Sequence, residues 1–367
     1  MRESSLPERL IAYDTSTIDG IRSAAEFVTG WLEARDVEVA DAMHNDRPLL
    51  AATVGPANGP TVVLHGHLDV VPGRAEQFAP RVDGDRLIGR GAYDMKGALA
   101  AMMMATRDLC EQDDVRVHFL CVCDEESDVA GPRASDLLVG RGYRGDFAIT
   151  GEPTDLRVGV QAKGVLGLRM EVAGKAAHGS TPWLGDNAII KAVEAYERIR
   201  TLPFADDSSE LFDRPSINLG RILGGDALNK VPDHCIADVD IRYLPGQDPD
   251  EILAAVRSLP GVEISELIRR EPAIVDPENP FVRTLCEVIS RSTAGAEQVS
   301  VGRDGASDAV SFLEAGVPAV EFGPEGGGHH GPDEWVSISS LDRYRRALVE
   351  FVRLVPARLE TTRLRVA

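Results

Sequence analysis

Long apolar runs are missing from this sequence of 367 residues. No stretch of about 18 or more consecutive apolar residues is present, which argues against a membrane-spanning helix. The first residues, MRESSLPERLIAYD, carry charge and lack an extended apolar core, so a signal peptide is not expected. We therefore expect no membrane partner.

Cysteine is scarce and odd in number. The five cysteines are Cys110, Cys121, Cys123, Cys235 and Cys286. Their scattered positions argue against a disulfide framework and against a thiolate metal site, and they favour buried free thiols. The cytoplasm is the compartment in which such thiols are usual.

Positive charge is also in short supply, with 39 Lys and Arg against 59 Asp and Glu and a formal net charge of −20. The sequence contains no block of Lys and Arg, so nucleic acid and anionic membranes are excluded as expected partners. Hydrophobic residues make up 43% and charged residues 27%, which is typical of a globular protein. The length favours two domains.

The hydrophobic periodicity predicts an α/β fold with one inserted domain. Residues 1–163 alternate helix-like and strand-like segments, as in a largely parallel sheet flanked by helices. Residues 164–270 follow the order β-α-β-β-α-β, with the alternating polarity of a sheet covered on one face. The α/β pattern resumes over residues 271–367. The two crossings, near Gln161–Gly164 and Glu271–Pro277, are candidate hinges.

The segment VVLHGHLDVVPG, which begins at Val62, has the clearest chemical signal. Its apolar residues indicate a buried strand, but His65, His67 and Asp69 then occupy alternate positions. Alternate residues of a strand point to the same face, so two imidazoles and a carboxylate share one side of the backbone.

Acidic residues and histidines concentrate in five short segments outside the smaller domain. These are HGHLD at 65–69, GRGAYDMKG at 89–97, CDEESD at 123–128, TGEPT at 150–154 and GGGHHGPDEW at 326–335. Four of them follow a strand-like segment, so one edge of the sheet can collect them. Oxygen and nitrogen ligands without thiolates suit zinc, with cobalt or manganese as substitutes.

Eight motifs in order give the chain a family resemblance. They are GHLDVVP, GRGAYDMKG, DEES, GEPT, KAAHGSTP, GGDALNKVPD, DIRYLPG and HHGPDEW. The chain resembles the di-zinc aminoacylase and carboxypeptidase family that includes acetylornithine deacetylase, succinyl-diaminopimelate desuccinylase and carboxypeptidase G. This resemblance implies a zinc-exopeptidase-like catalytic domain, residues 1–163 and 271–367, and a ferredoxin-like lid and dimerisation domain, residues 164–270.

The resemblance also implies a centre of two Zn²⁺ ions, for which Co²⁺ or Mn²⁺ are possible substitutes. Its implied metal ligands are His67, Asp94, Glu126, Glu152 and His330. Asp94 would bridge both ions, and Asp69 would hold the other ring nitrogen of His67. Glu125 would be the general base that deprotonates the attacking water. His65 is then an outer or packing residue, and His329 a loop residue.

The smaller domain and one loop supply the substrate contacts that the resemblance implies. His178 in KAAHGSTP would reach into the partner's active site of a homodimer and polarise the scissile carbonyl. Asn229 and Arg242 would bind the substrate carboxylate, with a salt bridge on its strand as the less favoured alternative for Arg242. Gly305 and Ser307 would line the substrate.

The resemblance therefore implies an amidohydrolase that removes a small acyl group from an N-acylated amino acid. A dipeptidase or carboxypeptidase of the same family is the first alternative, with a dipeptide as its substrate. A metal-binding pseudoenzyme without activity is the second, but the general base and every implied ligand are retained. A nucleotide-binding oxidoreductase is set aside, because the glycines of GRGAYDMKG lack the G-x-G-x-x-G spacing.

Overall fold

The computed structural model describes residues 5–127, 131–292 and 300–366. The helices are α1 (Leu6–Ile11), α2 (Ile18–Glu33), α3 (Gly97–Asp108), α4 (Ala134–Gly140), α5 (Ala188–Ile199), α6 (Pro249–Arg257), α7 (Pro280–Ser292), α8 (Ala309–Glu314) and α9 (Ile338–Val366). The strands are β1 (Val39–His44), β2 (Arg47–Val54), β3 (Thr61–His67), β4 (Arg81–Asp83), β5 (Arg86–Ile88), β6 (Arg116–Val122), β7 (Phe147–Thr150), β8 (Val158–Ala162), β9 (Gly164–Ala173), β10 (Ser216–Gly224), β11 (His234–Tyr243), β12 (Glu263–Arg270), β13 (Ala273–Ile274), β14 (Ser300–Arg303), β15 (Ala319–Glu321), β16 (Gly326–Gly327) and β17 (Trp335–Ser337). Among the described residues, none of these helices combines the length and the apolar character needed to cross a membrane.

Two compact units make up the chain. The described residues of 1–160, 275–301 and 308–367 form the first unit, and residues 161–274 with 302–307 form the second. The segment 302–307 thus packs with the second unit, whereas the sequence pattern assigned it to the larger domain.

Contacts within the second unit explain the position of this segment. The Lys163 ammonium lies 2.7 Å from the Asp304 carboxylate, and the Lys163 backbone N–H donates to the Arg303 carbonyl at 3.1 Å. Lys163 is itself buried, so its charge needs such a partner. These long-range contacts have no signature in the local sequence.

The first unit is built on a mixed sheet with a parallel centre. The strand order is β1-β2-β6-β3-β7-β15-β8, and the neighbours from β6 to β15 are parallel. Parallel strands are usually covered on both faces, and β3 is accordingly buried from Val62 to His67. The predicted α/β fold class is confirmed.

Helix α3 forms much of the core beneath this sheet. Its residues from Gly97 to Thr106 are all buried. Except for Thr106 they are glycine, alanine, leucine or methionine, so every face of this part of the helix is apolar and can pack in the core. It packs against α1 and α9. The turn Ala92–Lys96 leads directly into this helix, so a rigid element supports the residues just before it.

The second unit contains the predicted β-α-β-β-α-β order, from β9 to β12. Its four-stranded sheet is antiparallel, with the order β10-β11-β9-β12 of a ferredoxin-like domain. Alternate residues of β11, from Cys235 to Tyr243, are buried. Helices α5 and α6 contribute the other side of this core, including Ala192 and Val256.

Candidate metal centre and catalytic carboxylates

Three parallel strands bring the predicted ligands to one edge of the first unit's sheet. β3 lies between β6 and β7, so the carboxyl ends of all three strands are neighbours. His67 is the last residue of β3, Glu125 and Glu126 follow β6, and Glu152 follows β7. The topology therefore places side chains from distant sequence segments side by side.

His67 lies in a first cluster with two carboxylates. Its Nε2 is 3.0 Å from Oδ1 of Asp94 and 3.7 Å from Oε1 of Glu152. One donor atom from each of these residues lies within 4.8 Å of the others. His67 is buried, so its ring cannot turn freely towards solvent. Three donors at this spacing can hold one cation.

A second cluster shares the Asp94 carboxylate with the first. Nε2 of His330 is 2.8 Å from Oε1 of Glu126 and 3.4 Å from Oδ2 of Asp94. Nε2 of His329 also contacts Oδ2 of Asp94. One oxygen of Asp94 thus faces each cluster, which is the arrangement of a carboxylate that bridges two cations.

Several buried carboxylates lie close together at these clusters. Burial and the nearby charge of Asp94 raise the pKa of Glu152 well above its usual value. Burial also raises the pKa of Glu125 to about 8, with the charges of Asp308 and Asp94 acting in the same direction. Crowded, buried carboxylates of this kind are stabilised by divalent cations, and the oxygen and nitrogen donors fit zinc, cobalt or manganese.

Asp69 holds the other ring nitrogen of His67, as the resemblance implied, but it does so with its backbone carbonyl and not with its carboxylate. Nδ1 of His67 is 3.0 Å from the backbone carbonyl oxygen of Asp69 and 3.6 Å from its carboxylate. The Nδ1–H therefore donates to the carbonyl, which leaves Nε2 available as a ligand. The Asp69 carboxylate instead accepts the backbone N–H of Glu126 at 2.9 Å.

A tight turn separates the roles of Glu125 and Glu126. Arg133 donates to the carbonyl oxygen of Glu125 at 2.7 Å and also contacts the carbonyl of Asp124. The Asp124 carboxylate accepts the backbone N–H of Ala134 at 2.9 Å. The backbone turn that two adjacent functional glutamates require is thus fixed from α4.

Glu334 is a site residue that the sequence interpretation missed. Its buried carboxylate accepts the backbone N–H groups of Tyr93 at 3.0 Å and Asp94 at 3.1 Å. The other oxygen accepts from Arg90 at 2.7 Å and from the Gly91 backbone at 3.0 Å. Glu334 therefore fixes the backbone of the bridging carboxylate. No local pattern marks a glutamate just before a short strand as buried.

His65 belongs to a buried polar network and not to the two clusters. Its Nε2 lies 2.9 Å from Oγ of Ser135, which donates to Asp308 at 2.8 Å. The Phe312 ring packs against the imidazole, with 5.4 Å between the centroids. These contacts agree with the expectation of an outer or packing residue.

The predicted substrate residues belong to the second unit. They are His178, Asn229, Arg242, Gly305 and Ser307. His178 is exposed, and its Nδ1 lies 2.7 Å from Oγ of Ser180. Arg242 pairs with the Asp240 carboxylate at 3.0 Å, which is the salt bridge that the sequence left open.

Comparisons with known proteins show what the chain is similar to. The profile of peptidase family M20/M25/M40 matches residues 63–354. A succinyl-diaminopimelate desuccinylase of Leptothrix cholodnii is 31% identical over 375 residues, which cover 94% of this chain and 97% of that protein. An acetylornithine deacetylase of Proteus mirabilis is 29% identical over 93% of this chain and 92% of its own length. An M20 family metallo-carboxypeptidase from Sulfolobus solfataricus has the same fold, with a TM-score of 0.79 at 20% identity over 97% of this chain and all of that chain.

We predict that Glu334→Gln weakens both folding and zinc binding. The substitution removes the charge that pairs with buried Arg90 and places an amide group against backbone N–H donors. Loss of one partner of a buried ion pair costs about 3–5 kcal/mol of unfolding free energy. Denaturant unfolding and zinc titration measure the two effects. Asp333→Asn, at an exposed neighbouring carboxylate, is the control. Wild-type values for Glu334→Gln would contradict the role of Glu334.

Proposed function

Since this chain belongs to peptidase family M20/M25/M40 and is a metallo-hydrolase of amide bonds, we propose that it removes a small acyl group from an N-acylated amino acid. The observation that carries this proposal is the Asp94 carboxylate, which has one oxygen against His67 and the other against His330. Two cation positions joined by one carboxylate suit hydrolysis of an unactivated amide.

We assign two Zn²⁺ ions to the centre, with Co²⁺ or Mn²⁺ as substitutes. His67 and Glu152 would hold the first ion, Glu126 and His330 the second, and Asp94 both. When bound, such ions polarise a carbonyl oxygen and lower the pKa of water towards neutrality. The chain itself supplies the orientation: β3 fixes His67, and Glu334 fixes Asp94.

Glu125 is the proposed general base. Burial and neighbouring negative charges raise the pKa of Glu125, so its carboxylate has an increased affinity for a proton. It would take a proton from the attacking water and return it to the nitrogen of the leaving amine. The hydrogen bond from Arg133 to the Glu125 carbonyl oxygen fixes the backbone that carries this carboxylate.

The substrate contacts remain predictions from the family resemblance. We assign polarisation of the scissile carbonyl to His178 and recognition of the substrate carboxylate to Asn229 and Arg242. Gly179, next to His178, donates its N–H to the backbone carbonyl of Asn229 at 2.7 Å. This hydrogen bond joins the segment of His178 to that of Asn229. Gly305 and Ser307 are assigned to the lining of the substrate.

The names of similar proteins support two substrate classes. The desuccinylase and the deacetylase remove an acyl group, according to their names, and both align with more than nine-tenths of this chain. The carboxypeptidase shares the fold at 20% identity, which leaves peptide cleavage as the second candidate. We favour acyl removal because the desuccinylase and the deacetylase align in sequence with more than nine-tenths of this chain, whereas a probable carboxypeptidase of Aspergillus terreus, at 34% identity, aligns with 64% of it.

Glu125→Gln is expected to lower kcat by about 10²–10⁴-fold, because the neutral amide cannot accept the proton from water. Activity is measured with zinc on N-acetyl and N-succinyl amino acids beside dipeptides, and the highest kcat/KM is expected for an N-acyl amino acid. Zinc content, measured in parallel, is expected to stay at the wild-type value.

Glu76→Gln, at an exposed glutamate, is the control for that experiment. Near-normal turnover by Glu125→Gln would contradict the general-base role. A dipeptide as the best substrate would instead favour the peptidase alternative, and no hydrolysis of any compound would favour the pseudoenzyme.

We also propose a homodimer that forms through the second unit. Helix α5 and strand β10 expose large apolar side chains, and β10 is an edge strand of its sheet. These residues are Ile190, Val193, Ile222 and Leu223. Apolar groups on neighbouring elements beside an unpaired strand edge are typical of a protein interface.

The double substitution Ile190→Glu and Leu223→Glu is expected to prevent this dimer, because it places charges in an apolar interface. Light scattering is expected to give twice the 39.5 kDa of one chain for the wild type and one chain mass for the variant. Ile274→Glu changes an exposed isoleucine elsewhere in the same unit and is the control. A monomeric wild-type protein would contradict the proposal.

The cytoplasm is the proposed compartment. Cys110, Cys121, Cys123 and Cys235 are free thiols, and the last three are buried. Free thiols are usual in a reducing compartment. Fractionation of the source cells tests this directly, and recovery of the protein from the cell exterior would contradict it.

A further inference from the structure

His329 lies beside the Asp94 carboxylate, where only its neighbour His330 was predicted to lie. Nε2 of His329 contacts Oδ2 of Asp94, the same oxygen that lies 3.4 Å from Nε2 of His330. One donor atom from each of these three residues lies within 4.8 Å of the others. Two adjacent imidazoles therefore converge on the second cluster.

The backbone is shaped to allow this convergence. Adjacent side chains of an extended segment point in opposite directions, so both rings can face one carboxylate only where the chain turns. His330 has a φ of +56°, in the left-handed region that a residue with a side chain rarely occupies. Gly328 has a φ of +73°, and the Gly331 N–H closes the turn on its carbonyl at 2.7 Å.

Neighbouring side chains stabilise this turn. Arg90 donates to the carbonyl oxygen of His330 at 3.1 Å, and Gln77 donates to that of Gly331 at 3.2 Å. Arg90 is the same residue that pairs with Glu334, which fixes Asp94. The conformation of the two histidines is thus linked to the position of the bridging carboxylate.

An aromatic contact holds the His329 ring. The Tyr93 ring meets it edge-on, at 82° with 6.4 Å between the centroids. The Tyr93 hydroxyl donates to the Asp155 carboxylate at 2.7 Å, so the tyrosine is itself fixed. The His329 imidazole therefore has a defined place beside Asp94 and is not a free surface side chain.

We propose that His329 is a fourth protein ligand of the second cation, together with Asp94, Glu126 and His330. This inference rests on the proposed two-cation centre and adds one ligand to it. The second position then has two imidazoles and two carboxylates, whereas the first has one imidazole and two carboxylates. A nitrogen-rich set favours zinc or cobalt over manganese at the second position.

Solvent exposure is shared by the two histidines of this set. The side chains of His329 and His330 are each 47% exposed, whereas that of Glu126 is only 10% exposed. A ligand that faces solvent can leave the cation without disturbing the core, so one histidine can yield its position to a substrate oxygen while the other retains the cation.

Zinc titration against a chromophoric chelator tests this proposal on the full-length protein. His329→Ala is expected to leave the first affinity unchanged and to weaken the second by more than about tenfold, since loss of even an outer hydrogen-bond partner can cost 10–100-fold. His330→Ala is expected to weaken the same site. His234→Ala, at an exposed histidine of the second unit, is the control and should match the wild type.

The visible spectrum of the Co²⁺-loaded protein separates a ligand from an outer partner. Loss of a ligand is expected to change the position and intensity of the band from the second cobalt. An unchanged band with weaker affinity would overturn direct ligation, and an unchanged second affinity would overturn any metal role of His329. Either of these results, obtained with two cations bound to the wild-type protein, would leave the proposed hydrolase intact. A single cation bound to the wild type would overturn both the two-cation centre and the ligand role of His329.

Discussion

The site depends on one buried carboxylate that two clusters share. Asp94 presents one oxygen to His67 and the other to His330, and its backbone N–H is bound by Glu334. A carboxylate in this position must be fixed to within a fraction of an ångström to serve two cations. Glu334, which is far from Asp94 in sequence, provides that rigidity, and its buried ion pair with Arg90 fixes Glu334 itself.

The parallel centre of the sheet explains why so much negative charge can gather in a folded protein. Strands β3, β6 and β7 end side by side, so the residues that follow them need no long loops to meet. The apolar parts of the same strands are buried and supply the stability that the clustered carboxylates reduce. Bound divalent cations would offset the remaining repulsion. The strand order of the fold therefore decides which side chains can bind a metal ion together.

Periodicity predicted the α/β class and the β-α-β-β-α-β segment, because these features are encoded locally. The assignment of His67 as a ligand came instead from the family resemblance. Other features arise from contacts between distant segments. Glu334 is defined by its contact with Asp94, and the segment 302–307 by its contact with Lys163. The carbonyl contact of Asp69 and the left-handed φ of His330 are backbone features that residue types do not reveal. His329 was accordingly interpreted as a loop residue.

Crystals grown with zinc, with anomalous diffraction recorded on both sides of the zinc absorption edge, test the central claim most directly. We expect two anomalous peaks on opposite sides of the Asp94 carboxylate, one within bonding distance of His67 and Glu152 and the other of Glu126 and His330. A single peak, or two peaks that do not share Asp94, would contradict the shared carboxylate on which the proposed hydrolase depends.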